Sequence, residues 1–286
     1  IAIVSTARKI SKEELKPALQ LLENWGLNAV LGKTIGAEEN QFAGSDDLRA
    51  KDFQAMLDDS NIKAIWCARG GYGTVRIIDK LDFSAFIKNP KWIVGYSDVT
   101  VLHSHIHNLG METLHAQMCL EIENKTPDTA ESIRKVLFGE QYNIEIENTN
   151  SLDSLRILKG ELIGGNLSVL YSLCGSASEM KTDGKILFIE DLDEMLYHID
   201  RMMMNLKRSG YLKNLKAIII GGMTEMKDNK VYFGKTAEEI IVDLVKEYDY
   251  PVFFNFPAGH IKDNRALIFG REVELKIGNN NINLNF

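Results

Sequence analysis

Short apolar runs alternate with amphipathic helical patterns through the first half of this chain, and that alternation restricts the fold more than any other feature. Residues 1–4, 28–31, 63–68, 91–95 and 113–116 read as strands. Between them, Ser11 with Glu14 forms a capping box for a helix that Gly26 closes, and Ser45 caps a helix carrying Leu48, Phe53, Met56 and Leu57. Further helices are expected from the glycines at 70–73 to about Leu81, after Ser97, and over 128–138. Such alternation implies a parallel sheet with helices on both faces, because a crossover returning to a parallel strand is too long for a hairpin.

The second half reads differently. Residues 140–154 are rich in Asn, Glu, Thr and Ser with little periodicity, and are expected to connect two domains, 1–139 and 155–286. In the second domain strands at 157–163, 185–189, 217–220, 252–254, 267–269 and 273–277 outnumber helices at 167–173, 196–208 and 236–247. A mixed α/β domain with a strand-rich end is expected. Asn279-Asn280-Asn281 reads as a turn.

Composition excludes several classes of function. A net charge of −7 argues against a nucleic-acid surface, which relies on clustered Lys and Arg. No apolar run is long enough for a bilayer span, and no signal-peptide core is expected at the start. The three cysteines, Cys67, Cys119 and Cys174, share no CxxC spacing, so reduced buried thiols in a cytoplasmic protein are expected.

Three segments carry chemistry. Tyr96-Ser97-Asp98 joins an apolar strand to a helix, where a serine hydroxyl stands out from the backbone beside unpaired helix amides. The run Gly95-Tyr96-Ser97-Asp98-Val99 departs from the G-x-S-x-G elbow at Val99, and a serine so placed also reads as a helix cap. Arg69-Gly70-Gly71-Tyr72-Gly73 lies at another strand end but fits no dinucleotide or Walker pattern. A backbone donor from Gly71 could combine with the Asp98 amide as an oxyanion hole. Glu190 ends a buried strand before Asp191, Asp193 and Glu194, and could orient a histidine; a solvated acidic loop is the alternative. His260 follows Pro257-Ala258-Gly259 and is placed as a general base. His103, His105 and His107 invite a metal reading, but only His103 and His107 share a helix face and no acid or cysteine completes a set. His115 could lie near the site, and His198 reads as a surface helix residue.

Five motifs occur in order: Arg69-Gly70-Gly71-Tyr72-Gly73; Gly95-Tyr96-Ser97-Asp98; Gly164-Gly165-Asn166-Leu167; Glu190-Asp191 with Tyr197-x-x-Asp200-Arg201; and Pro257-Ala258-Gly259-His260. Together they resemble the LD-carboxypeptidase family, which includes the microcin C immunity proteins. The resemblance implies a flavodoxin-like (amidotransferase-like) parallel-sheet domain and a C-terminal swivelling β/α domain, with the active site between them. It implies a Ser97–His260–Glu190 triad, an oxyanion hole at the Asp98 and Gly71 amides, and Asn166 near the substrate. It implies no metal and no cofactor. The implied substrate is a small peptide, cytoplasmic murein tetrapeptide, cleaved at the L,D bond that releases terminal D-alanine; a homodimer is also implied. An aminoacyl-nucleotide amide is the alternative substrate, and a non-catalytic ligand-binding module is the alternative of another class. Arg69, Arg76 and Arg265 are candidates to hold the substrate carboxylate.

Overall fold

A computed structural model describes residues 1–148 and 156–286, so residues 149–154 of the expected connection lie outside the described residues. The first half contains β1 (Ala2–Val4), α1 (Lys16–Asn24), β2 (Val30–Leu31), α2 (Asp46–Asp58) and β3 (Ala64–Cys67). It continues with α3 (Ser84–Lys88), β4 (Trp92–Gly95), α4 (Thr100–His107), β5 (Thr113–His115) and α5 (Pro127–Leu137). The parallel strands lie in the order β2-β1-β3-β4-β5, the flavodoxin-like arrangement. In such a sheet ligands bind outside the strand carboxyl ends, where the winding reverses between β1 and β3.

Local chemistry explains most boundaries. Ser11 and Glu14 form the expected reciprocal bonds (Ser11 N to Glu14 Oε2, 2.7 Å; Glu14 N to Ser11 Oγ, 3.2 Å). These brace the turn at 12–15, however, and α1 starts only at Lys16, after Leu15 and with Pro17 in its first turn. Ser45 Oγ accepts from Leu48 N as expected and caps α2. Helix α1 then buries Ala18 and Leu22 against Ile3 and Trp66. Burial of the Leu22 side chain contributes about 1.5–3 kcal/mol. The helix expected up to Leu81 is instead two 3-10 turns, Thr74–Arg76 and Ile78–Lys80. Thr74 N is held by the Asp98 carboxylate and Lys80 by Asp47, so the short segment between closes on i→i+3 bonds.

The second half contains β6 (Asn143–Glu147), β7 (Arg156–Asn166), α6 (Leu167–Leu173), β8 (Ile186–Leu192) and α7 (Leu196–Arg208). These are followed by β9 (Ala217–Thr224), α8 (Ala237–Val245), β10 (Val252–Phe253), β11 (Leu267–Phe269), β12 (Glu272–Ile277) and β13 (Asn281–Asn285). Its sheet runs β10-β9-β8-β7-β12-β13-β6, parallel from β10 to β7 and antiparallel beyond. Helices α6, α7 and α8 cover the parallel part through a core that includes Leu170, Met202, Met203, Leu206 and Ile240.

Two features differ from the sequence reading. Asn143–Glu147, inside the expected connection, is strand β6, paired antiparallel with β13; the expected turn at 279–281 is present, joining β12 to β13 and closed by Gly278 N donating to Asn281 O at 2.8 Å. β6 is the edge strand of this sheet and β13 lies between it and β12; in each, Ile or Leu alternates with Asn or Glu, so only one face is apolar. In addition, β11 from the second half pairs antiparallel with β5, Leu267 opposite His115, so the C-terminal chain closes the edge of the first sheet. No helix among the described residues is long and apolar enough to cross a membrane.

Candidate active site

Ser97 lies one residue beyond β4 and begins a 3-10 turn leading into α4. Its φ is +61°, a left-handed conformation that costs a non-glycine residue free energy and persists only where the surroundings enforce it. Extended Tyr96 before it and the helical turn after it make a tight strand–turn–helix elbow that presents the half-buried serine at the sheet's carboxyl end. The Val99 departure has a steric basis: a Cβ at Gly95 would lie 2.8 Å from Val99 Cγ2. The valine fills the space that the first glycine leaves open.

The glycine turn after β3 lies against this elbow, since a Cβ on Gly70 would come 3.4 Å from Ser97 Cβ. Asp98, almost fully buried, ties the two together by accepting from Thr74 N at 2.9 Å. Burial pushes its carboxyl above the usual range, opposed by hydrogen bonds from Thr74 and Gly73 and by the Arg49 charge. The fully buried Arg49 guanidinium donates to Thr6 O and Gly73 O and pairs with Asp46. Backbone and side chain of residue 98 thus face different tasks, and the sequence hinted only at the first.

Across the cleft, Glu190 lies near the end of the buried part of β8 with no solvent exposure. Its Oε2 accepts from His260 Nδ1 at 2.7 Å and from His260 N at 3.1 Å. Burial alone would lower the imidazole pKa; the Glu190 charge and hydrogen bond outweigh it, so His260 is raised overall. The His260 ring lies 4.7 Å, centroid to centroid, from Tyr96, the residue preceding the serine. His260, Ser97, Gly70, Gly71 and Asn166 line one cleft of about 400 Å³ between the two halves.

Asn166 caps α6 through Oδ1, which accepts from Val169 N and Ser168 Oγ, while Nδ2 donates to Glu190 Oε1 (3.2 Å) and Asp191 Oδ1 (2.9 Å). Its side-chain donors and acceptor are therefore engaged within the protein, although it faces the cleft. Asp191 also accepts from Ser168 N, and burial together with the adjacent Glu190 charge pushes its carboxyl up to about 7.

Residues the sequence reading did not single out hold the His260 loop. Buried Asn264 accepts from Gly259 N and donates to Gln117 Oε1 at 3.1 Å, and its own N–H reaches Thr129 Oγ1. Lys125 Nζ donates to Ile261 O, and Thr224 Oγ1 to His260 O. An Asn four residues after a candidate base carries no local sequence signature.

His115 lies near the site at the end of β5, as expected, and most other expected residues are placed elsewhere. His115 is fully buried against Tyr96, Phe188 and Phe269, with its pKa lowered by burial and by His103 and His260. His103 bonds Thr113 Oγ1 and Gly95 O, His105 bonds Ser178, and His107 faces Glu161. His198 pairs with Glu194 at 2.6 Å. Arg76 is paired with Asp46, and Arg265 with Asp128 and Asp263. Tyr197, Asp200 and Arg201 line a separate groove along α7.

Residues 1–116 match the LD-carboxypeptidase N-terminal domain, and residues 159–275 match its C-terminal domain. The chain belongs to the LD-carboxypeptidase family. It is therefore a member of a serine carboxypeptidase family, and the parallel-sheet domain paired with a β/α domain is that family's architecture. A probable murein peptide carboxypeptidase of Bacillus subtilis is 36% identical over 96% of this chain and 88% of its own length. The crystal structure of muramoyltetrapeptide carboxypeptidase from Oxalobacter formigenes superposes with a TM-score of 0.90 at 26% identity, covering 99% of this chain and 97% of that one. The microcin C7 self-immunity protein of Escherichia coli is 26% identical over 96% of this chain and 88% of its own length.

Proposed function

We propose that Ser97, His260 and Glu190 act as a catalytic triad that hydrolyses the L,D bond of murein tetrapeptide and releases D-alanine. The observation that supports this reading best is the left-handed Ser97 elbow in the same cleft as a histidine anchored to a fully buried carboxylate. In this mechanism His260 Nε2 takes the Ser97 proton as Oγ attacks the carbonyl. Glu190 holds the Nδ1–H tautomer and offsets the imidazolium charge, and Asn166 holds Glu190. The Gly71 and Asp98 amides receive the oxyanion. His260 then protonates the leaving amine, and water repeats the sequence on the acyl-enzyme.

Two observations favour the peptide over an aminoacyl-nucleotide. Tyr142 stacks on Phe286 at 5.3 Å with its hydroxyl buried, which removes it as a platform for a base. Among the described residues lining the cleft, the only ring besides His260 is Tyr96, itself buried. We place the reaction in the cytoplasm, where free thiols such as Cys67, Cys119 and Cys174 persist.

Incubation with a tetrapeptide ending in meso-diaminopimelate–D-alanine, followed by mass spectrometry, tests the reading directly. Wild type is expected to release D-alanine, and Ser97→Ala to lose at least about 10³-fold in kcat while keeping its melting temperature. Turnover by Ser97→Ala comparable to wild type removes the triad. Stoichiometric fluorophosphonate labelling of Ser97 without D-alanine release keeps the triad and removes the substrate.

A further inference from the structure

The loop after β1 brings a cation to the cleft that the sequence reading passed over. Arg8 is exposed and lines the same cleft as Ser97, Gly70 and Gly71. Its backbone N–H reaches Gly70 O at 3.4 Å, and Arg69 Nη1 reaches back to Lys9 O at 3.2 Å, so the loops after β1 and β3 are laced together. These are the two loops that diverge where the winding of the sheet reverses, and Arg8 and Arg69 stand together at that point.

The arginine stem lies flat over the glycine turn. A Cβ at Gly71, whose φ is +109°, would fall 2.5 Å from Arg8 Cδ and 2.7 Å from its Nε. A glycine at 71 therefore both permits the turn and admits the guanidinium beside the nucleophile. Among the described residues Arg8 forms no ion pair, and Arg69 has only its bond to a backbone carbonyl. Glu14, the carboxylate acting on Arg69, is itself held by Ser11 N and Oγ. By contrast, Arg76 and Arg265 are occupied by acids, and Lys125 by Ile261 O. The cleft's own acids, Glu121 and Asp191, belong to the loop after β5 and to β8.

We propose that Arg8, with Arg69 beside it, binds the free α-carboxylate of the substrate's last residue and so limits cleavage to one residue from the carboxyl end. The proposal rests on the Ser97 reading given above. When the leaving group is a single residue, its carboxylate lies within about 4 Å of the scissile nitrogen. An oxyanion received by the glycine turn therefore places that carboxylate beside the arginine packed on the same turn. Guanidinium binds carboxylate in a planar two-pronged geometry, which a carboxamide cannot match because it carries no charge. A longer peptide would carry an uncharged amide to the same point.

The test compares kcat/KM for the tetrapeptide acid and for its C-terminal carboxamide, in wild type, Arg8→Gln, Arg8→Lys and Arg69→Gln. Wild type is expected to favour the acid, and Arg8→Gln to lose about 10- to 100-fold on the acid with the amide unchanged. Arg8→Lys should recover part of that loss, since charge but not fork geometry is retained. Equal turnover of acid and amide by wild type overturns the clamp and leaves the triad standing. A fall of equal size on both substrates in Arg8→Gln also overturns it, because that marks a structural role. Loss of acid preference in Arg69→Gln but not in Arg8→Gln reassigns the carboxylate and refutes the role of Arg8. Turnover of neither peptide by wild type sinks the clamp and the murein reading together.

Discussion

Replacing Glu190 by Gln changes one atom and should disable the enzyme. Three N–H groups converge on the two carboxylate oxygens: Oε2 takes His260 N and Nδ1, and Oε1 takes Asn166 Nδ2. A glutamine offers one acceptor, so one side of this arrangement must fail. With the amide oxygen toward His260, the NH2 faces Asn166 Nδ2; rotating Asn166 would take Oδ1 away from the start of α6. A buried donor left without a partner costs about 1–3 kcal/mol. With the NH2 toward His260, the imidazole must accept at Nδ1 and carry its proton at Nε2, where it can no longer receive the Ser97 proton. In both orientations the charge opposing the imidazolium is gone. The expected loss in kcat is about 10³–10⁴-fold, or about 4–5.5 kcal/mol of transition-state stabilisation.

The pH profile separates this account from simple misfolding. Wild-type His260 must be neutral to accept a proton, so kcat/KM should rise with pH through a pKa lifted by Glu190. In Glu190→Gln burial remains while the carboxylate is gone, so the residual activity should have its acidic limb at lower pH. D-alanine release measured across pH, with a melting curve for each protein, provides the assay. Activity within about 10-fold of wild type and an acidic limb that stays in place would refute the reasoning.

Two further substitutions probe the same wall of the cleft. Asp191→Asn addresses a carboxyl held at about 7 by burial and the Glu190 charge. Its folded pKa lies above its unfolded value near 4, so its contribution to stability is greatest at low pH and is lost as pH rises through 7. The cost of the substitution in urea unfolding should therefore be smaller at pH 8 than at pH 5, by about 2–3 kcal/mol; an equal cost at both pH values contradicts the assignment. Gly259→Ala would set a Cβ 2.7 Å from Glu190 Oε2 on a backbone of φ +102°. Activity should fall at least about 100-fold and the melting temperature by several degrees, about 2–4 °C per kcal/mol for a chain of this size; a wild-type rate rules out the contact.

The parts of the molecule legible in the sequence are those fixed by local chemistry. The strand–helix alternation, the Ser11–Glu14 box and the Ser45 cap each depend on residues within one turn of one another. Ser97 was legible for the same reason, because the apolar strand, the serine and the helical spacing are contiguous. Strands β6 and β13 were not, since each carries only two aliphatic residues among Asn or Glu; β6 pairs with β13, far away in sequence, and β13 also pairs with its hairpin neighbour β12. Asn264 and Arg8 were missed for a related reason. Their roles are set by partners more than sixty residues distant, Gln117 at one and Gly70 and Gly71 at the other.

That distance dependence explains how a reaction centre divided between two domains can be held in register. Ser97 follows β4 of the first sheet, Glu190 belongs to β8 of the second, and His260 lies on the loop from β10 of the second to β11 of the first, so the separation of the proposed nucleophile and base is an interdomain quantity. Several independent contacts set it. Asn166 N donates to Thr100 Oγ1 at 3.0 Å, joining the end of β7 to the first turn of the helix behind Ser97. Asn264 joins the His260 loop to Gln117, and Lys125 and Thr126 hold Ile261 and Asp263 from the first half. Strand β11 makes the link continuous by entering the first sheet directly after that loop. The chain therefore leaves His260 and within ten residues is hydrogen-bonded to β5, the strand next to the one that carries Ser97. Rotation of one domain on the other would break that ladder before it moved the imidazole far, so the geometry of the proposed triad and the closure of the first sheet are set by the same hydrogen bonds.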